Sequence, residues 1–326
     1  MKVSTADVPP LVVFLHVPKA GGSVISLMLQ KCLAARYGNA FRVCPIGSGN
    51  PFDHVCERDD AVIERTRRNV FSRFLNRTVP SESRCHFLET HHDYSLLSRI
   101  REAAAVWSQP LVFVTALREP VARTFSGWYF TGWAQKYMRA NMTESEARKA
   151  IAARDGSKAG QKYGAEPNHM TKQLWGGLSC STEPAALRDG LARGGPLVTL
   201  ELAKANLRAI PHVLVYEQLD RIGAYLSCAF GCRTLPVPAS YAIKGHASAP
   251  HVRTKGHEPA VWRKVVASRN ELDQQLFEYA SLLVNRSACA SYPATGVRGA
   301  GGSHETRRLT PRVLLHATSY LNASML

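Results

Sequence analysis

Apolar residues fill every position from Leu11 to Leu15, and again from Leu111 to Ala116 except for Thr115. Unbroken runs of this length mark strands buried on both faces of a parallel sheet, since one-sided strands alternate. A third run, His212 to Tyr216 (HVLVY), reads the same way, and residues 86–88 predict a brief further strand leading into ETHHDY. Between these runs the apolar period changes to that of helices. Residues 24–37 follow a glycine turn at Lys19 to Ser23, and 61–75 predict a basic amphipathic helix. Residues 100–107 predict another. Pro120 sits just inside the start of a helix reaching about Phe130, where its fixed φ suits the first turn. LELAKANLRAI from Leu200 and residues 219–230 are helical, and 258–283 predict one last amphipathic helix. Residues 39–60 and 236–259 read as loop, and 141–195 as short helices mixed with loop.

Strands alternating with helices predict an α/β domain over residues 8–285, a central parallel sheet flanked by helices. Beyond 285 the periodicity disappears into Ser, Ala, Gly and Arg, and 286–326 predict a disordered basic tail. No internal repeat is present.

Composition adds one constraint. Lys and Arg number 41 against 25 Asp and Glu, a formal charge of +16 over 326 residues. The surplus points to an anionic ligand or polyanionic partner and carries no information about fold. The tail holds five arginines and one glutamate, so about +4 of the charge lies outside the domain. Collagen, coiled coil and wholly disordered chains are excluded by the aliphatic content and aperiodic glycine. No run of 18 apolar residues is present to span a membrane. The opening MKVSTADVPP is too polar for a signal peptide. Four N-x-[ST] sequons, at Asn76, Asn141, Asn285 and Asn322, hint at a secretory lumen. The eight cysteines lack the paired spacing of a zinc knuckle, and disulfides in an oxidising lumen are the alternative use.

The candidate chemistry lies after the strands. In HVPKAGGS, Lys19 supplies a point charge, Gly21 and Gly22 allow close backbone approach, and Ser23 opens a helix whose first amides can cradle a phosphate. An ordinary strand-to-helix turn is the competing reading. The lysine precedes the glycines, the reverse of the Walker A order, and the ends of the later strands offer no Mg²⁺-binding aspartate; both features argue against a P-loop kinase. In TALREPVARTFSGWYF, Arg118 follows a buried strand, where open α/β sheets bind ligands. Ser126 and Arg123 lie on the next helix as further anion contacts. A bisphosphate nucleotide would fill two such sites at once.

These segments resemble sulfotransferases that use 3′-phosphoadenylyl sulfate (PAPS). Lys19 to Ser23 is similar to their 5′-phosphosulfate loop, and Leu117 to Ser126 to their 3′-phosphate site. His91-His92-Asp93-Tyr94 is similar to the histidine segment of the Golgi carbohydrate group that includes heparan sulfate 6-O-sulfotransferase. The likeness extends in order through PNHMTKQLWGG, ELAKANLRAI, Glu217, YLSCAFG and NELDQQLFEYA. It departs from that group at Ala20, Ser23, Glu119 and Gly127, which leaves the acceptor open.

The resemblance implies a P-loop-like PAPS-dependent sulfotransferase fold, with Lys19, Ala20, Gly21, Gly22, Ser23, Arg118 and Ser126 binding PAPS. Lys19 would also stabilise the departing phosphate, and His91 would be the general base, with His92 its competitor because successive extended residues face opposite ways. No metal is called for. An anionic, heparan-sulfate-like glycan is the implied acceptor, with a protein tyrosine as the alternative. The basic segments 64–77 and 244–255 are candidate contacts for it; a solvated basic face is the competing reading. Trp128, Tyr129 and Trp133 are candidates to line its cleft. A Golgi glycoprotein associated with the membrane is the implied setting. A non-catalytic polyanion-binding protein, for glycan or nucleic acid, is the reading from another class; nucleic acid is disfavoured because it assigns no role to Lys19 or His91.

Overall fold

The computed structural model describes residues 10–44, 85–91, 94, 95, 97, 100, 101, 110–155, 166–176, 194–232 and 258–289. Residues 1–294 and 295–326 form separate units, and every described element lies in the first. The basic segments 64–77 and 244–255, His92, Asp93, and the expected tail beyond 289 lie outside the described residues.

Four parallel strands make the sheet: β1 (Leu11–His16), β2 (Phe87–Thr90), β3 (Leu111–Leu117) and β4 (His212–Val215), in the order β2-β1-β3-β4. The three strong apolar runs and the brief one at 86–88 thus all become strands. Tyr216 leaves the last of them and starts a 3₁₀ turn, Tyr216–Gln218. Nine helices are described: α1 (Gly22–Tyr37), α2 (Pro120–Phe130), α3 (Trp133–Tyr137), α4 (Glu144–Asp155), α5 (His169–Trp175), α6 (Gly195–Arg208), α7 (Leu219–Phe230), α8 (Ala260–Arg269) and α9 (Glu271–Arg286).

The continuous apolar run of β1 is explained by cover on both faces. Leu11, Val13 and Leu15 pack with Leu88 and Phe113 beneath α5, α6 and α9, while Val12 and Phe14 pack with Val114 and Ala116 beneath α1 and α7. All five residues of Leu11 to Leu15 are fully buried. Burying each large aliphatic or aromatic side chain is worth about 1.5–3 kcal/mol, so this strand anchors the domain. A satellite cluster of Phe125, Trp128, Ala147, Ile151, Trp262, Val265 and Val266 joins α2, α3, α4 and α8. Trp128 is buried there against Trp262 and Phe125, which removes it from any acceptor cleft.

Two further expectations are revised. The single helix expected over 258–283 is two, broken at Asn270. Asn270 leaves the helical region (φ −121°, ψ 32°), and its side-chain carbonyl accepts the amide of Asn168. The membrane association implied by the resemblance is also corrected: among the described residues no helix is long and apolar enough to cross a membrane.

Candidate functional site

In the order β2-β1-β3-β4 the chain leaves β1 for one edge and then crosses to the other side, so adjacent connections diverge between β1 and β3. A crevice outside the carboxyl ends of strands at such a switch point is where open α/β sheets bind ligands. The Lys19 loop follows β1 and Arg118 follows β3, and the two meet: Arg118 Nη1 donates to the Lys19 carbonyl at 3.1 Å. Arg118 is buried, with its guanidinium carbon 4.5 Å from the centre of the Tyr216 ring. Tyr216 comes from the end of β4, so three strand ends build this corner.

Lys19 has a left-handed backbone (φ 67°), unusual for a lysine, and its ammonium sits 3.7 Å over the ring of Phe130. Burial, with a smaller contribution from the charge of Arg118, lowers its pKa to about 8. A partly buried cation that also feels a second positive charge is destabilised until an anion joins it. Ser126 lies one helical turn before Phe130 on α2, on the same side, and is half-buried. Glu119 caps that helix, its carboxylate accepting the amides of Val121 (3.0 Å) and Ala122 (2.6 Å). The Glu119 amide donates to Glu217, whose pKa burial raises.

The glycines have a structural task as well as the expected one. A Cβ on Gly21 would lie 2.1 Å from the Tyr216 ring, and Gly21 is itself left-handed at φ 82°. A Cβ on Gly22 would overlap the His16 imidazole at 1.8–2.2 Å. Gly21 is the N-cap of α1 and brings no side-chain cap, so Gly22 and Ser23 begin the helix with amides that lack intrahelical acceptors. Ala20 is buried and closes the turn, its amide donating to Val17. Ser23 is exposed.

His91 follows directly on β2, next to β1. The parallel register pairs Leu15 with Thr90, and continuing it brings His16 beside His91, ring centres 4.1 Å apart. Glu89 lies two residues before His91, on the same face of the strand. Its Oε1 is 2.6 Å from His16 Nδ1, and its Oε2 accepts from the Ser26 hydroxyl of α1 at 2.6 Å. The Gln173 side-chain amide on α5 donates to the carbonyls of both His16 (3.2 Å) and His91 (3.3 Å), tying the two strand ends together.

The structure thus brings together Lys19, Ala20, Gly21, Gly22, Ser23 and Arg118, with Ser126 one turn from Phe130, and sets His91 at the adjacent strand end. Arg123 is not with them. It turns into the core, fully buried, and pairs with Asp273 at 3.5 Å. His16 and Glu89 had no expected chemical role. Their only signal is the parallel pairing of β1 with β2, which joins residues 75 apart in register.

The chain matches no family model and no characterised protein among those compared with it. Fold and site define it as an α/β protein: a small parallel sheet flanked by helices, with basic groups gathered at its switch point.

Proposed function

We propose that the protein is a PAPS-dependent sulfotransferase acting on a hydroxyl of an anionic, heparan-sulfate-like glycan, with the P-loop-like fold of that enzyme class. The observation that carries the reading is the junction of Lys19 and Arg118 at the switch point, with His91 on the neighbouring strand. Two cations there suit a ligand phosphorylated at both ends of its ribose, and an imidazole alongside suits proton removal.

In this reading Lys19, the loop from Ala20 to Ser23 and its amides hold the 5′-phosphosulfate, while Arg118 and Ser126 hold the 3′-phosphate. His91 takes the proton of the acceptor hydroxyl as its oxygen attacks sulfur. The new O–S bond forms while the bond from sulfur to the bridging phosphate oxygen breaks. Adenosine 3′,5′-bisphosphate departs with the electron pair, and Lys19 neutralises its charge. The acceptor's own negative charge fits the remaining surplus of Lys and Arg on the domain.

The test is incubation of the purified chain with sulfur-labelled PAPS and a panel of heparan-type glycans, other glycans and tyrosine peptides. Label should pass to an anionic glycan. His91→Ala should keep nucleotide affinity and lose transfer by about 10²–10⁴-fold. Lys19→Ala and Arg118→Ala should weaken binding of adenosine 3′,5′-bisphosphate, measured by isothermal titration. Glycan binding with no nucleotide affinity would make the chain a polyanion-binding protein and overturn the proposal.

A further inference from the structure

His16, Glu89 and His91 each offer a ligand atom, and these atoms all lie within 4.8 Å of one another. We propose that they bind a divalent transition metal of the zinc type, and that the bound ion occupies the lone pair of His91 and so silences it as a base. The metal site stands on this geometry alone; the silencing rests on the proposed role of His91.

Two imidazole nitrogens and one carboxylate oxygen are a borderline-soft donor set that suits Zn²⁺ and its neighbours and suits Mg²⁺ or Ca²⁺ poorly. Bonds of about 2.0–2.2 Å place tetrahedral ligand atoms about 3.3 Å apart. The His16–Glu89 pair at 2.6 Å needs only to open slightly around an ion. Closing the remaining separation falls to His91 and Glu89, which are half-buried.

The surroundings hold the ligands as metal sites do. Ser26 donates to Glu89 Oε2 and leaves Oε1 facing the imidazoles. His16 is buried, and its ring lies where Gly22 lacks a Cβ, so its position is set by packing. Gln173 braces the backbone of both histidines from α5. Partners of this second kind orient ligands and sharpen affinity. Three protein ligands leave a fourth position for water or an acceptor oxygen. The ammonium of Lys19, three residues beyond His16, and the guanidinium of Arg118, at the end of β3, favour anions on that side, so nucleotide and metal take adjacent, distinct places.

Zinc binding is measured by competition with a chromophoric zinc chelator, which needs no turnover. The full chain should bind one Zn²⁺ above the level of a His91→Ala, Glu89→Gln double variant, and each single variant should weaken binding at least about tenfold, the loss expected when a metal ligand or its partner is removed. Both substituted residues are half-buried, so the fold should survive, and circular dichroism checks it; His16→Ala is the third variant. No stoichiometric zinc, or zinc binding indifferent to Glu89→Gln and His91→Ala, overturns the site. Where transfer is observed, zinc should abolish it and chelator restore it while nucleotide affinity stays unchanged; transfer unaffected by bound zinc overturns the silencing. Zinc binding without nucleotide affinity would leave this site standing and remove the sulfotransferase reading, so the two fail separately.

Discussion

Lys19 is the residue on which the proposed donor site turns. Its pKa of about 8, set by burial and then by Arg118, means that the free protein loses this charge just above neutrality. An anion bound beside it favours the protonated form, so binding above pH 8 must take up a proton. Affinity for adenosine 3′,5′-bisphosphate should therefore be nearly constant below that pH and fall about tenfold per pH unit above it. Titrations across this range check the sign, and Lys19→Arg, which stays charged, should flatten the profile. A wild-type affinity unchanged through pH 9 would remove Lys19 from the anion site. Lys19, Gly21 and Gly22 were legible as candidates because their chemistry is carried by adjacent residues in one short turn, and Arg118 because it directly follows a buried strand. What was not legible is why both glycines are needed: the rings that fill their missing side chains come from His16 and Tyr216.

At the scale of elements, α5 and α9 cap one another. Asp273 in the first turn of α9 accepts the amides of Met170 (3.1 Å) and Thr171 (2.8 Å), and Asn168 returns the favour to the amides of Leu272 and Asp273. Asp273 also meets the buried guanidinium of Arg123, whose pKa burial lowers. Asp273→Ala should cost about 3–5 kcal/mol in urea unfolding, since it takes the carboxylate from a buried cation along with the helix cap. A loss under about 1 kcal/mol would show that the pair is not holding these elements together. This arrangement explains why one helix was expected over 258–283. The apolar period runs on through Asn270, with no Gly or Pro to interrupt it. The break is made by Asn168, about a hundred residues away in sequence, and by the side chain of Asn270 turned towards it. The strands were legible because a strand covered on both faces is apolar throughout, wherever its partners lie.

Across the whole domain three disulfides are described: Cys32–Cys232, Cys44–Cys85 and Cys228–Cys289. Among the described residues no cysteine is free, which suits an oxidising compartment. Cys32–Cys232 spans 200 residues and links α1 to the end of α7. Closing so long a loop removes entropy from the unfolded chain worth about 5 kcal/mol in the chain-entropy account, and native disulfides deliver about 2–5 kcal/mol. The Cys32→Ala, Cys232→Ala double variant should lose stability in that range, and a reductant should lower the unfolding midpoint of the wild type. Equal midpoints with and without reductant would contradict the pairing. Cys228 and Cys232, close in sequence, enter different bridges, and Cys289 ties the chain beyond α9 back to α7.

By itself the sequence determined the strands, most of the helices, the parallel α/β class and the basic turn that follows β1. Those properties depend on local periodicity and on residues close together in the chain. Only the tertiary structure decided that Lys19 and Arg118 meet, that Arg123 faces the core, and that His16 and Glu89 stand with His91. Strand order and register set those neighbours, and pairing between distant segments leaves no local mark on either one.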